Sequence, residues 1–300
     1  MTTAFFIALF VFGLAIGSFM NVLVWRYDPQ GKLFDVKRLS GRSRCPYCNH
    51  ELKASELVPL WSFFVQGGRC RECGHGLSFR YPIVEFLGGA IFAGLPLFLN
   101  GFYGVNNSFF ASFGLEWWYY AVVLVWIAVF LTLLAIAVID LRDYVIPNEL
   151  NVLLGVLGAL AAVLILVYGD KVLPFRDSFL EQYRLIFSPF QGIILNRLLG
   201  LLAGGLFFGL LVFASRGRGM GMGDVKMALA AGLALGWPDI ALATMISFLL
   251  GGLIGGILLI FGKKQMKDKL PFAPFFVLAI FITVFFGSGI VSGYFSLFGI

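Results

Sequence analysis

The chain has 300 residues, of which 60% are hydrophobic and only 13% charged, and its formal net charge is +6. Soluble domains hold about 45–50% apolar and about 25% charged residues, so an ordinary soluble globule is excluded and a polytopic membrane protein is predicted. The positive balance is no nucleic-acid footprint, because no cluster pairs basic residues with stacking aromatics in an exposed groove.

A helix that crosses a hydrocarbon core of about 30 Å needs about 20 apolar residues. The first such run covers 3–25. Read as a cleaved signal with Ala15, Ile16 and Gly17 at its cleavage site, it would put the following residues outside; but only Met1, Thr2, Thr3 and Ala4 precede Phe5, with no positive n-region, so a retained membrane helix is expected.

Residues 26–80 follow as a polar region holding ten Lys and Arg, from Arg26 to Arg80. All four cysteines lie here, as Cys45-Pro-Tyr-Cys48 and Cys70-Arg-Glu-Cys73, with 21 residues between the pairs. A two-residue gap lets both thiolates of a knuckle reach one ion, and two knuckles complete the tetrahedral shell of a structural zinc. Two disulfides are the competing reading, disfavoured in a reducing cytosol. Four thiolates leave no open position, so such a zinc would hold the module together without activating water. His50 and His75 are read as surface residues, although His75 in place of a cysteine is an open alternative.

Further apolar runs cover 81–100, 118–140, 149–168, 191–214, a shorter 224–236, 239–262 and 272–297. Pro147, the Trp237-Pro238-Asp239 break and the stretch from Pro271 to Pro274 separate or start helices. The expected fold is therefore all-α and polytopic, with about eight transmembrane helices, the sixth short. A first helix (1–25), a zinc-binding module between helices 1 and 2 (26–80) and a transmembrane peptidase region (81–300) are the expected domains.

Positive charge is retained in the cytoplasm. Arg142, the pair Arg216 and Arg218, and the group Lys263, Lys264, Lys267 and Lys269 alternate with loops holding only Lys171, Arg176, Arg184 and Arg197. Both termini are then extracytoplasmic, and the cysteine module is cytoplasmic. Loops 101–117 and 169–190 fall outside and are read as tolerated surface insertions.

Ionisable residues at membrane helix ends are functional candidates. Asp140 ends an apolar helix ahead of Pro147, and Asp224 closes the glycine-rich run Gly219-Met-Gly221-Met-Gly223 and opens the short sixth helix. Both emerge on the cytoplasmic side. Two carboxylates sharing a site do not both ionise easily, so one can act as base on water while the other donates a proton to a leaving amine. From helix ends alone, Asp140 at a C-terminus is expected to be the acid and Asp224 at an N-terminus the base. The bland readings are a solvated helix end and an N-cap; Asp143, beside Arg142, keeps the former. The sixth helix is too short for the full core, which predicts a water-filled recess around Asp224.

These motifs resemble the type IV prepilin peptidases, the leader peptidase and N-methyltransferases of the Gly-x-Gly-Asp class of membrane aspartic proteases. The resemblance is carried by Gly17-Ser18-Phe19 with Asn21 and Arg26, both cysteine pairs, Arg80-Tyr81-Pro82 with Glu85, Asp140 through Pro147-Asn148, Gly221-Met-Gly223-Asp224-Val-Lys226, and Pro271 to Phe275. It implies that Asp140 and Asp224 are the catalytic pair, that Cys45, Cys48, Cys70 and Cys73 hold zinc, and that Gly221, Gly223, Lys226 and Pro147 lie near substrate. It further implies substrates that are precursors of type IV pilins or type II secretion pseudopilins, cut at the cytoplasmic face of a bacterial inner membrane. S-adenosylmethionine would then supply a methyl group to the new N-terminus.

Methylation rests on the resemblance alone, since the chain has no strand-turn-helix glycine loop for a nucleotide. Glu85, Arg80 and Asn21 are the candidate contributors. Their alternatives are a membrane-edge charge pair for Glu85 and a tight packing face built on Gly17 and Ser18. A peptidase without methyl transfer, an ion-coupled transporter and a non-catalytic zinc-bearing scaffold are the rival functions. Partners are expected to be precursor proteins and the lipid bilayer, with no nucleic acid; the sequence does not fix the oligomeric state.

Overall fold

The computed structural model describes residues 3–29, 31, 33, 40–103, 116–168, 177–187, 192–265 and 268–299. Lys171, Arg176 and Lys267, used above for topology, lie outside them, as do residues 104–115 of the loop 101–117 and three of the ten basic residues between Arg26 and Arg80, Lys32, Lys37 and Arg38. Among the described residues the secondary structure is helical, with two isolated β-bridges. In chain order the helices are α1 (Thr3–Arg26), α2 (Trp61–Val65), α3 (Arg80–Tyr103), α4 (Glu116–Asp143), α5 (Asn148–Tyr168), α6 (Arg184–Phe187), α7 (Ile193–Ala214), α8 (Met222–Leu235), α9 (Asp239–Ile260) and α10 (Ala273–Ser296).

Seven of these (α1, α3, α4, α5, α7, α9 and α10) are long and apolar enough to cross a membrane. The eighth expected crossing is α8, whose 14 residues rise only about 21 Å at 1.5 Å each. The hydropathy-based plan of eight helices with a short sixth therefore agrees with the structure to within a few residues at each end. The chain forms two compact units, Met1–Phe98 and Leu99–Ile300.

In the first unit, α1 and α3 touch through glycine. A Cβ added to Gly13 would come within 2.6 Å of the Gly88 carbonyl oxygen, and one on Gly17 within 2.7 Å of the Glu85 Cα. Only hydrogen fits there, so the close-packing alternative raised for Gly17 is the one the geometry carries. Asn21, one turn on, donates to the Tyr81 carbonyl at 3.1 Å.

The second unit is organised around α8, a helix of small residues enclosed by its neighbours. A Cβ on Gly200 of α7 would meet the Gly232 oxygen at 2.5 Å, one on Gly204 the Ala228 oxygen at 2.6 Å, and one on Gly158 of α5 the Ala234 backbone at 2.9 Å. Association without a hydrophobic driving force depends on such close backbone approach. The helix stops at Gly236, whose φ of +82° suits only glycine.

Residues 177–187 correct the expectation of a tolerated surface insertion. Ser178, Phe179 and Leu180 are buried. The Ser178 hydroxyl donates to Asp239 Oδ1 at 2.7 Å and the Phe179 N–H to Asp239 Oδ2 at 3.0 Å. Buried Arg197 donates to the carbonyls of Ala234 and Asp177, while Arg184 pairs with Asp177. This polar knot ties the segment to the start of α9 and the end of α8.

Candidate functional site

The four cysteines fold as two matching knuckles. In the first, the Cys45 N–H bonds to the His50 carbonyl and the Asn49 N–H to the Cys45 carbonyl; in the second, Cys70 N–H bonds to His75 and Gly74 N–H to Cys70, all at 2.9–3.0 Å. The residue four after each leading cysteine, Asn49 (φ 58°) or Gly74 (φ 67°), is left-handed, a conformation that these residue types tolerate best. Each knuckle thereby turns both thiols inward.

All four Sγ atoms lie within 4.8 Å of one another, and the Cys45–Cys73 and Cys48–Cys70 pairs are 4.0 Å apart. A disulfide needs about 2.05 Å, and all four cysteines are free. A tetrahedral ion bonded to sulfur at about 2.3 Å separates its ligands by nearly 3.8 Å, so the thiols fit a metal. The histidines stand aside: His50 lies 4.0 Å from Glu56 and from Glu72, and His75 stacks on Tyr47 at 3.4 Å.

The two aspartates lie at neighbouring helix ends of the second unit. Asp140, in the last turn of α4, is 5% exposed and accepts the Ala273 N–H at the start of α10 at 3.0 Å. Asp224, in the first turn of α8, accepts the Gly221 N–H at 3.1 Å. The helix ends that carry them are neighbours, since Gly223 lies against Ile146 and Lys226 bonds to Asn148. Sequence reasoning weighed each aspartate against its own helix and missed that Asp140 also meets the N-terminus of α10, whose partial positive charge opposes that of α4's C-terminus. Own-helix polarity therefore does not by itself separate acid from base.

The neighbouring sequence sets this geometry. Gly223 lies against Ile146, where an added Cβ would stand 3.3 Å from the Ile146 Cβ. Pro147 is buried and precedes α5. Lys226 donates to Asn148 Oδ1 at 2.7 Å, joining the starts of α8 and α5. Asp143 is engaged by Arg142, with contacts of 2.5–2.9 Å, in keeping with its reading as a membrane-edge residue. In the first unit, the Glu85 carboxylate accepts the Leu60 N–H at 2.8 Å, and no ion pair with Arg80 is present among the described residues.

A multi-pass membrane protein bearing a four-thiol module and two aspartates at neighbouring helix ends is the class that fold and site define. Residues 11–98 match the Bacterial Peptidase A24 N-terminal domain and residues 126–258 the Type IV leader peptidase family. A protein named Prepilin leader peptidase/N-methyltransferase from Bacillus subtilis (strain 168) is 31% identical, covering 95% of this chain and 96% of its own length. Proteins of the same name from Burkholderia pseudomallei (strain 1026b) and Aeromonas hydrophila are 29% and 28% identical, covering 93% and 97% of this chain and 84% and 93% of their own lengths. No solved structure matches the chain. The chain belongs to the type IV leader peptidase family.

Proposed function

We propose that this protein cleaves the leader peptide of type IV prepilins or type II secretion pseudopilins, using Asp140 and Asp224 as its catalytic pair, and then methylates the exposed N-terminus. The supporting observation is that the first turn of α8, which carries Asp224, lies against the turn that follows Asp140, through Gly223 on Ile146 and Lys226 on Asn148. One carboxylate withdraws a proton from water, whose oxygen adds to the scissile carbonyl. The other carboxyl protonates the departing amine as the C–N bond breaks. The N–H groups of Ala273 and Gly221, each bound to one oxygen of an aspartate, hold the carboxyl planes in place through that exchange.

The four thiols suit zinc as a structural ion with a closed shell. Zinc would fix the two knuckles against each other and supply no reacting water. Methyl transfer draws on S-adenosylmethionine and rests on the family and on the relatives' names. The charge pattern supports a bacterial inner-membrane setting with the thiol module and both aspartates on the cytoplasmic side and both termini outside. The substrate-proximal residues are Gly221, Gly223, Lys226 and Pro147.

Purified full-length protein incubated with a prepilin tests this reading. The precursor is expected to lose its leader and, with S-adenosylmethionine present, the product to gain about 14 Da. An unchanged precursor mass with an enzyme whose fold and zinc are intact would reject the peptidase assignment.

A further inference from the structure

The segment that leads from the first thiol knuckle to the second turns an apolar face outward. Trp61, Phe64 and Val65 stand at i, i+3 and i+4 of α2 and so share one side of it, and all three are exposed, Trp61 at 68% and Phe64 at 67%. Leu57 and Val58 just before the helix are exposed as well, and so is Phe79, whose ring meets that of Phe63 at 5.2 Å. The other side of α2 is buried: Ser62 and Phe63 turn inward, and the Phe63 ring lies against Gly68 at the second knuckle. A helix on a water-covered surface keeps its polar side outward. A contiguous apolar patch in its place marks a surface made for a protein or a membrane.

The depth of this face decides between the two. α3 has 24 residues, about 36 Å at 1.5 Å each against a hydrocarbon core of about 30 Å, so Glu85, five positions after Arg80, stands close to where the core begins. The Leu60 N–H donates to the Glu85 carboxylate at 2.8 Å, which draws the start of α2 to that level. Leu60 has φ 60° and ψ −55°, and the Trp61 N–H bonds to the Pro59 carbonyl at 2.7 Å, a γ-turn of the rare, strained hand. Such strain persists only where the surroundings hold it, and the bond to Glu85 is part of that hold. At the same depth α3 itself exposes Ile83 and Phe86.

We infer that α2 and the apolar residues around it form a docking face that seats the thiol module in the interfacial layer of this protein's own bilayer. Tryptophan is the side chain that settles at a membrane–water boundary, and a helix lying in that plane buries its apolar side in the upper acyl chains. Exposed Arg69 and Arg80 flank the face in sequence and suit anionic headgroups. The module is then fixed to the membrane at three places, by α1, α2 and α3, and does not hang from its two chain ends alone. Neither the aspartates nor methyl transfer enters into this docking.

Zinc-loaded, full-length protein in nanodiscs of phosphatidylethanolamine and phosphatidylglycerol tests the docking, with a phospholipid that carries a diazirine in its upper acyl chain as the probe. After illumination, adducts mapped by mass spectrometry are expected on peptides containing Trp61 or Phe64 at a yield comparable to those containing Ile83 or Phe86. The peptide containing Glu51, whose carboxylate is bonded to Arg42 and Arg44, should stay unlabelled. Trp61→Ser combined with Phe64→Ser removes two exposed anchors and is expected to speed amide hydrogen exchange of residues 61–66 in the same nanodiscs by about tenfold or more, at unchanged zinc content. Label on α3 without label on α2, or equal label on the Glu51 peptide, would overturn the docking, whatever covers the face instead. Unchanged exchange in the zinc-loaded double variant would overturn it too, and if that variant does not load zinc, the labelling of wild type decides.

Discussion

At the scale of single residues, the proposed chemistry depends on how closely Gly223, the residue before Asp224, is packed. Gly223 faces Ile146 across a gap that already places a hypothetical Cβ at 3.3 Å. Gly223→Ala asks Ile146 to yield by a few tenths of an ångström, whereas Gly223→Val adds two methyls that the Val145-Ile146-Pro147 turn has no space for. Displacing a reacting group by about 1 Å can cost about a hundredfold in rate. Gly223→Val is therefore expected to lower the turnover of precursor cleavage by about that factor with KM less affected, as read from initial rates by mass spectrometry. Lys226→Met removes the bond to Asn148 without touching either aspartate, so a decline of only a few-fold is expected in the same assay.

Among the elements, α8 explains what was legible in the sequence and what was not. Its shortness, its glycine-rich approach and the aspartate in its first turn are all local features, as are the Cys-x-x-Cys spacings, and both could be read directly. The partners of Asp239 are 60 and 61 positions away, and Arg197 reads from sequence as one more charge at a helix edge. Hydropathy treats each as a local cost and cannot register that Ser178, Phe179, Asp177 and Ala234 satisfy them. The Gly13-x-x-x-Gly17 spacing of α1 is a readable sign of close packing, but that its partner is Gly88 of α3 depends on what a side chain would strike. Since breaking a buried charge network by removing one partner costs about 3–5 kcal/mol, Arg197→Met is expected to lower the melting midpoint by several degrees in detergent. Ser178→Ala leaves Asp239 with one donor fewer and should cost about 1–2 kcal/mol. A melting curve unchanged by Arg197→Met would show that the knot at the end of α8 is not holding the unit together.

For the whole molecule, the two compact units hold different groups: the four thiols lie in Met1–Phe98 and the two aspartates in Leu99–Ile300. Metal binding to preorganised thiolates is folding free energy, so chelation should expose the 40–78 region to limited proteolysis before the aspartate-bearing helices. The charge pattern makes a second molecular prediction. Single cysteines placed at Arg218 and at Ser296, each scored against the labelling of the unaltered chain, should be labelled by an impermeant maleimide from opposite sides of the membrane. Labelling of both from one side would invalidate the positive-inside assignment.

In the proposed reaction Asp140 and Asp224 act as one unit. This is tested most directly by cleavage rates for Asp140→Asn, Asp224→Asn and the double variant on a single precursor. Groups that act together are non-additive, so each single change should remove about as much activity as both, on the order of 1,000-fold or more. A folded single variant cutting within about tenfold of the wild-type rate would contradict the account.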